Sequence, residues 1–359
     1  MEFLEQLKIF KQEINIELEQ LFQGKINQEE DKFLKQVYNF LKDFIFTGGK
    51  RLRPALILAT YKSIKKEYDK DIIRIAQSLE LFHNYTLIHD DIIDEDFTRR
   101  NSDNMNSFFN TYCTNSLNKE YFETEGKLFF KDKKAQYIVS QALVTGDILS
   151  MLGINTILES DISNDKKLKL LKIYYETNEH VGKGQLLDVD YTHKNISEEQ
   201  YLNMIFLKTA YLFVSAIKFG AILADATEDQ INKLVKFAET MAPAFQIHDD
   251  IMDIYSSESK GNSSGADIRE GKNTLLIIKA KELCSEKDKK ILIKTLGNKT
   301  ASKEEIEKVA KIIEECGALN YCKSYATNLI IQAKKYLANL DIDTEFFEAF
   351  AEFMLNRNH

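Results

Sequence analysis

Along almost the whole chain, apolar residues recur every three or four positions, and strand-like alternation is scarce. The run "NYCKSYATNLIIQAKKYLANL" near the C-terminus is typical. This is the spacing of amphipathic helices, and it predicts an all-α chain of about ten to fourteen helices. No Ser- or Pro-rich linker divides the pattern, so a single domain spanning 1–359 is expected. Two segments break the period. Residues 101–134 ("NSDNMNSFFNTYCTNSLNKEYFETEGKLFFKDKK") are rich in Asn, Thr, Ser and Lys and read as an inserted surface excursion between helices. Residues 256–266 ("SSESKGNSSGA") read as a flexible loop.

Composition sharpens this picture at few points. Only Pro54 and Pro243 are prolines, which leaves long uninterrupted helices possible. The net charge of −8 is spread along a mixed pattern, which argues against a nucleic-acid surface. The four cysteines (Cys113, Cys284, Cys316, Cys322) show no CxxC spacing, so a reduced, cytoplasmic protein is expected. The N-terminus has no signal-peptide apolar core. The most apolar windows, 135–146 and 209–222, fall short of the ~20 residues of a bilayer span, so none is expected.

The chemistry enters with a repeated heptapeptide: "IHDDIID" at Ile88–Asp94 and "IHDDIMD" at Ile247–Asp253. On a helix, positions i, i+1 and i+4 fall within an arc of ~100°. Asp90, Asp91 and Asp94 would share one such arc, and Asp249, Asp250 and Asp253 another. One acidic arc is often just a solvated face. Two near-identical ones in apolar flanks call for cations or raised pKa values. Oxygen-only ligands suit Mg²⁺ shared with substrate phosphates. Two helices presenting matching halves of one metal site is the expectation.

An anionic substrate would explain the basic residues. "GGKRLRP" (Gly48–Pro54) puts three cations before a helix start, unfavourable for the helix dipole unless an anion sits among them. Arg99 and Arg100 follow the first acid cluster. Lys208 and Thr209 lie within the apolar run "MIFLKTAYLFVSA", where a snorkelling lysine is the ordinary alternative. Lys272 follows the flexible loop. Gln185 and Asp188 in "GQLLDVD" are explained equally well by capping or surface polarity. His89 and His248 precede Asp pairs, as in metal-dependent HD phosphohydrolases, but His83, His180, His193 and His359 complete no such pattern. "ELFH" is a lone ExxH, which does not make a di-iron bundle.

Together, the paired DDxxD motifs, GGKRLRP, the RR that follows, the KT and "DIREGKNT" resemble the trans-isoprenyl diphosphate synthases, over roughly residues 35–355. The late stretches look most like archaeal-type geranylgeranyl/farnesyl diphosphate synthases. The resemblance implies an isoprenoid synthase-type helix bundle around a central cavity, usually homodimeric. It implies head-to-tail condensation of isopentenyl diphosphate with an allylic diphosphate, with three Mg²⁺ per site held by Asp90, Asp91, Asp94, Asp249, Asp250 and Asp253. By the same resemblance Arg99, Lys208, Thr209, Gln246 and Lys272 match positions that contact the allylic diphosphate or its developing cation. Lys50, Arg53, His83 and Arg100 match the isopentenyl diphosphate pocket. Two departures stand out. Asn101 and the excursion follow Arg100 where the family has Gly and a short link, and Asn262 replaces a diphosphate-binding Lys, with Lys260 nearby.

Product length is read before the first motif. Tyr85 lies five positions before Asp90, ~7.5 Å along a helix axis. With Phe82 and the smaller Thr86 it matches the family's chain-length floor, in a pattern that goes with geranylgeranyl diphosphate and some farnesyl diphosphate. A terpene cyclase would lack GGKRLRP, and a non-catalytic regulatory subunit would tend to lose an Asp motif.

Overall fold

The computed structural model describes residues 2–117, 119–122, 124, 126, 129–255 and 265–356. The described residues form seventeen α-helical segments, two of them (Lys119–Phe122 and Ala266–Glu270) single turns, and one two-stranded hairpin. The all-α expectation holds. The count exceeds it because short C-terminal helices are broken by turns the periodicity bridged. The chain divides into two compact units. One holds residues 2–55 and 69–163, the other 56–68 and 164–359.

The first unit is built on α1 (Phe3–Gln28), α2 (Lys32–Phe46), the start of α3 (Leu52–Lys65), α4 (Lys70–Ile93), α5 (Met105–Ser116), α6 (Lys119–Phe122) and α7 (Lys133–Leu158). Its axis is α4, which packs along α7. Asp69 starts α4 by accepting from Ile72 N, and Ile75, Ala76, Leu79, Phe82 and Ile88 are fully buried. His89 Nε2 donates to the Leu143 carbonyl at 3.1 Å, tying the end of α4 to α7.

Within the segment 101–134, residues 105–116 are not aperiodic but form α5. Asn104 caps α5, whose Met105, Phe109 and Cys113 are buried. Phe108 stacks on Phe40 of α2 at 4.6 Å, Tyr112 lies 4.8 Å from Phe33, and Phe109 meets Tyr137 of α7 edge-on at 6.4 Å. Asn and Thr on the outer face masked the helical period of these aromatics.

The second unit holds the rest of α3, α8 (Asn164–Tyr191), α9 (Glu198–Ile205), α10 (Tyr211–Leu223), α11 (Glu228–Tyr255), α12 (Ala266–Glu270), α13 (Leu275–Leu283), α14 (Glu286–Thr295), α15 (Lys303–Glu315), α16 (Ala318–Lys335) and α17 (Glu345–Asn356). Its centre is α11, flanked by α10, α16 and α17. A π-helical turn, Phe206–Ala210, joins α9 to α10 as one continuous helical run. On α8, a Cβ at Gly184 would stand 2.3 Å from Lys208 N, so glycine there lets α8 lie directly against the π turn.

Two runs are longer and more apolar than the sequence windows suggested. Lys133–Leu158 and Glu198–Leu223 each have the length and apolarity of a membrane span, with 44% and 61% of their apolar windows buried inside the protein.

Candidate active site

In the first unit the acid motif closes α4. Asp90 and Asp91 lie in its last turn and Asp94 is its C-cap. The chain then turns back in a hairpin pairing Thr98 with Asp103 and Arg99 with Ser102. Arg100 and Asn101 form its two-residue turn, at φ of 53° and 62°. Asparagine tolerates this left-handed region, which is why it can stand where the family has glycine. The hairpin aims Arg99 at Asp91: its Nε donates to Oδ1 at 2.7 Å. Burial nevertheless pushes Asp91 up to about 6, against the pull of Arg99.

The same hairpin lays Arg100 over the Gly48–Gly49 turn. A Cβ on Gly48, at φ 140°, would meet Arg100 Cδ at 3.1 Å. Arg51, the middle cation of GGKRLRP, has a distinct role from its neighbours. It is buried at φ 55°, paired with Glu80 at 2.8 Å, and donates to Asn15 Oδ1 and the Ile45 carbonyl. Asn84 donates to the same Glu80 carboxylate at 3.1 Å. Arg51 thus anchors the turn that carries Lys50 and Arg53. His83, one turn after Glu80, is held neutral: burial lowers its pKa, and Arg53, Arg100, Arg99 and Arg51 add to the shift. Lys50, Arg53, His83, Arg99 and Arg100 therefore all fall in one unit with the first acid motif.

In the second unit, Asp249, Asp250 and Asp253 lie on α11. A chain of hydrogen bonds, buried at its Asp250 end, runs from the π turn to this motif. Thr209 Oγ1 donates to Gln246 Oε1 at 2.8 Å, Gln246 Nε2 to Asp250 Oδ1 at 2.9 Å, and Tyr201 Oη to Asp250 Oδ2 at 2.6 Å. Burial raises Asp250 to about 7, with Asp249 and Asp253 adding to the shift against those hydrogen bonds. Lys208 and Lys272 meet on one carboxylate: Asp188 Oδ2 accepts from them at 2.7 and 3.2 Å. Burial opposes its charge, but the two lysines hold Asp188 below the usual carboxylate range. Asp267 N donates to Asp253 Oδ2, and burial beside Asp253 and Asp250 pushes the Asp267 carboxyl well up.

The carboxylates fit a hard divalent cation. Asp91 Oδ2 is buried with no hydrogen-bond partner among the described residues, an acceptor suited to a cation or its water. Among the described residues no three His, Cys, Asp or Glu side chains converge into a ready metal cage. Each motif would supply one or two ligands, the number Mg²⁺ takes when phosphate oxygens complete its shell.

The expected floor residues are packed together. Phe82 meets Tyr85 edge-on at 4.9 Å, and Tyr85 meets His89 at 5.5 Å. Thr86 turns its hydroxyl inward, donating to the His83 carbonyl at 2.7 Å. Lys260, Asn262 and His359 lie outside the described residues.

Sequence reasoning left aside four side chains that these networks use: Asp188, Tyr201, Asp267 and Glu80. Asp188 was visible, three positions after Gln185 on one helix face. Its signal would have been the Gly184 one turn earlier. Asp267 stands in "DIREGKNT", already part of the motif set. Nothing in the sequence singles out Tyr201.

The sequence profile of the polyprenyl synthetase family matches residues 34–313. The chain is 33% identical over 312 residues to a short chain isoprenyl diphosphate synthase of Methanocaldococcus jannaschii, covering 84% of this chain and 85% of that one. It is 31% identical to a geranylgeranyl diphosphate synthase of Sulfolobus acidocaldarius, covering 87% and 88%. In structure it is similar to a geranylgeranyl pyrophosphate synthetase of Pyrococcus horikoshii, with a TM-score of 0.81, 26% identity, and coverage of 99% and 100%. The chain belongs to the polyprenyl synthetase family and is a prenyltransferase.

Proposed function

We propose that the protein condenses isopentenyl diphosphate with dimethylallyl, geranyl or farnesyl diphosphate, giving geranylgeranyl diphosphate with some farnesyl diphosphate. The observation that carries this reading is the gathering of charge around the first acid motif. Arg53, Arg99 and Arg100 all act on a neutral His83 in the same unit.

In this reading Lys50, Arg53, His83 and Arg100 bind isopentenyl diphosphate, His83 donating as a neutral imidazole. Arg99, Lys208 and Lys272 take the allylic diphosphate, the two lysines held in place by Asp188. Asp90, Asp91, Asp94, Asp249, Asp250 and Asp253 would hold Mg²⁺, three ions per site. When bound, that metal supplies positive charge to the leaving diphosphate. Gln246 Oε1, already accepting from Thr209, keeps a lone pair whose dipole favours the allylic cation as the C–O bond breaks. The isopentenyl double bond then attacks the cation. The proton lost in closing the new double bond goes most simply to the departing diphosphate. No protein nucleophile is needed.

The short-chain product is supported by Tyr85, buried against Phe82 and His89 before the first motif. Similar chains also include a geranylfarnesyl diphosphate synthase of Natronomonas pharaonis, so the floor matters to the choice. Mass spectrometry of products made from isopentenyl diphosphate and each allylic primer tests the reading. Tyr85→Ala should lengthen the products beyond C20. An unchanged distribution would place the floor elsewhere and remove the basis for C20.

A homodimer is also proposed. Leu143, Val144, Met151 and Leu158 are exposed on α7. At ~100° per residue they fall within one ~100° stripe. This largely apolar stripe, broken by the exposed Asp147, supports an interface with a second copy. Sedimentation of the protein with Met151→Lys should give monomer.

A further inference from the structure

The GGKRLRP turn and the hairpin beside it gather positive charge. Arg51 is neutralised by Glu80. Arg100 is placed differently: it lies across Gly48 and Gly49, where a Cβ on Gly49 would be 3.3 Å from an Arg100 terminal nitrogen. Arg53 and Arg99 add charges felt at His83.

One further cation approaches this cluster from an element that the family profile does not reach. The match begins at residue 34, and α1 ends before it. Asn15 of α1 accepts from Arg51 Nε at 2.9 Å, which fixes the side of α1 that faces the turn. Lys11 is one helical turn earlier, so it shares that side. It is half-buried, and among the described residues it has no ion-pair partner. Burial, then the charges of Arg51 and Arg100, lower its pKa, and Glu80 is the acid that opposes them. A long cation half-buried on the side of α1 that meets Arg51 is a cost to the unliganded fold. A polyanion entering the cluster would reverse its sign, because each ammonium or guanidinium then gains a charge-assisted hydrogen bond.

We propose that Lys11 binds the diphosphate of isopentenyl diphosphate, supplied by α1 to the pocket of Lys50, Arg53, His83 and Arg100. The inference rests on the reading above that this pocket takes isopentenyl diphosphate. A purely structural lysine behaves differently on removal: the fold loses stability and both substrates suffer alike. Removing a ligand-binding cation stabilises the empty protein and weakens one substrate.

The test uses Lys11→Met, which keeps the length of the stem, and Lys11→Arg, which keeps the charge. Lys11→Met should raise KM for isopentenyl diphosphate about tenfold or more, the loss of one charge-assisted contact. It should leave kcat and KM for the allylic diphosphate unchanged, and raise the thermal midpoint without ligand. Lys11→Arg should restore KM. Inorganic pyrophosphate gives a readout independent of turnover: its stabilisation of the wild-type protein should shrink in Lys11→Met. An unchanged KM, a parallel rise in both KM values, a lower unliganded midpoint, or equal stabilisation by pyrophosphate would each overturn the proposal. If wild-type protein made no prenyl product while the pyrophosphate effect still shrank, the prenyl-transfer reading would fail and the placement of Lys11 would stand.

Discussion

Replacing Asp188 with Asn tests the lysine pair with the least disturbance of shape. The amide fills the same volume and its oxygen can still accept from both lysines, but it carries no charge. In the wild-type protein Oδ2 accepts from Lys208 at 2.7 Å and Lys272 at 3.2 Å, and the carboxylate is 10% exposed. The acceptor's negative charge is lost from both contacts, an effect of about 1.5–3 kcal/mol, and two ammonium groups are left facing each other without it. That is roughly a 10- to 150-fold effect on whichever equilibrium depends on their position. Two readouts follow. Denaturant unfolding should show a lower midpoint for Asp188→Asn. Because Asp188 is depressed in the folded protein, its contribution is fully present above the unfolded carboxylate value of ~3.9 and is lost only as pH falls through the lower folded value. The difference between the two proteins should therefore be flat from about pH 5 to 8. KM for the allylic diphosphate should rise by at least tenfold while KM for isopentenyl diphosphate stays put. Equal KM values for both substrates in the two proteins would show that the lysines need no acid to hold them and would refute the reasoning.

The remaining expectations concern the acid motifs and the segment after the hairpin. Asp90→Ala and Asp249→Ala should each lower turnover by orders of magnitude, while circular dichroism stays that of the wild type; near-normal turnover at saturating Mg²⁺ in either would exclude a joint role. Phe109→Ala should cost about 3–5 kcal/mol, as for a fully buried aromatic, read as a shifted denaturant midpoint. A change under about 1 kcal/mol would return α5 to the surface role that its composition suggested.

Much of the site was legible because its chemistry demands particular residue types at helical spacing. Two arcs of aspartate call for cations, and a glycine-rich basic turn calls for an anion. What stayed illegible depends on distance between segments remote in sequence. Asp188 looks like any polar residue on α8 until Gly184 is seen to bring the helix against the π turn. Arg51, Lys50 and Arg53 are indistinguishable as neighbours in one turn. The partner Glu80, on another helix, is what makes Arg51 an anchor, and the sequence does not show it. The α5 part of the segment 101–134 was missed for a different reason. Its helix buries one aromatic stripe and carries Asn and Thr elsewhere, so the average polarity hid a period that packing against Phe33, Phe40 and Tyr137 reveals.

The ion pairs sort themselves by burial into anchors and exchangeable contacts. Arg51 and Glu80 are both almost wholly buried, their side chains 1% and 4% exposed, so separating them would leave a charge stranded away from water. That pair holds the turn in place and is too costly to break for a substrate. In the pair of Arg99 with Asp91, the acid is buried while the arginine is 25% exposed, and Lys208 on Asp188 is 24% exposed. These cations can turn to an incoming anion without a desolvation penalty of the same size. For Asp91, losing Arg99 to a diphosphate removes the charge that holds its proton off, and burial alone would then drive it neutral. A divalent cation held by Asp91 would supply the positive charge that Arg99 withdraws. Under the proposed function, anion and metal binding would thus be coupled through one carboxylate, and neither should bind as tightly to this acid motif alone as when both are present.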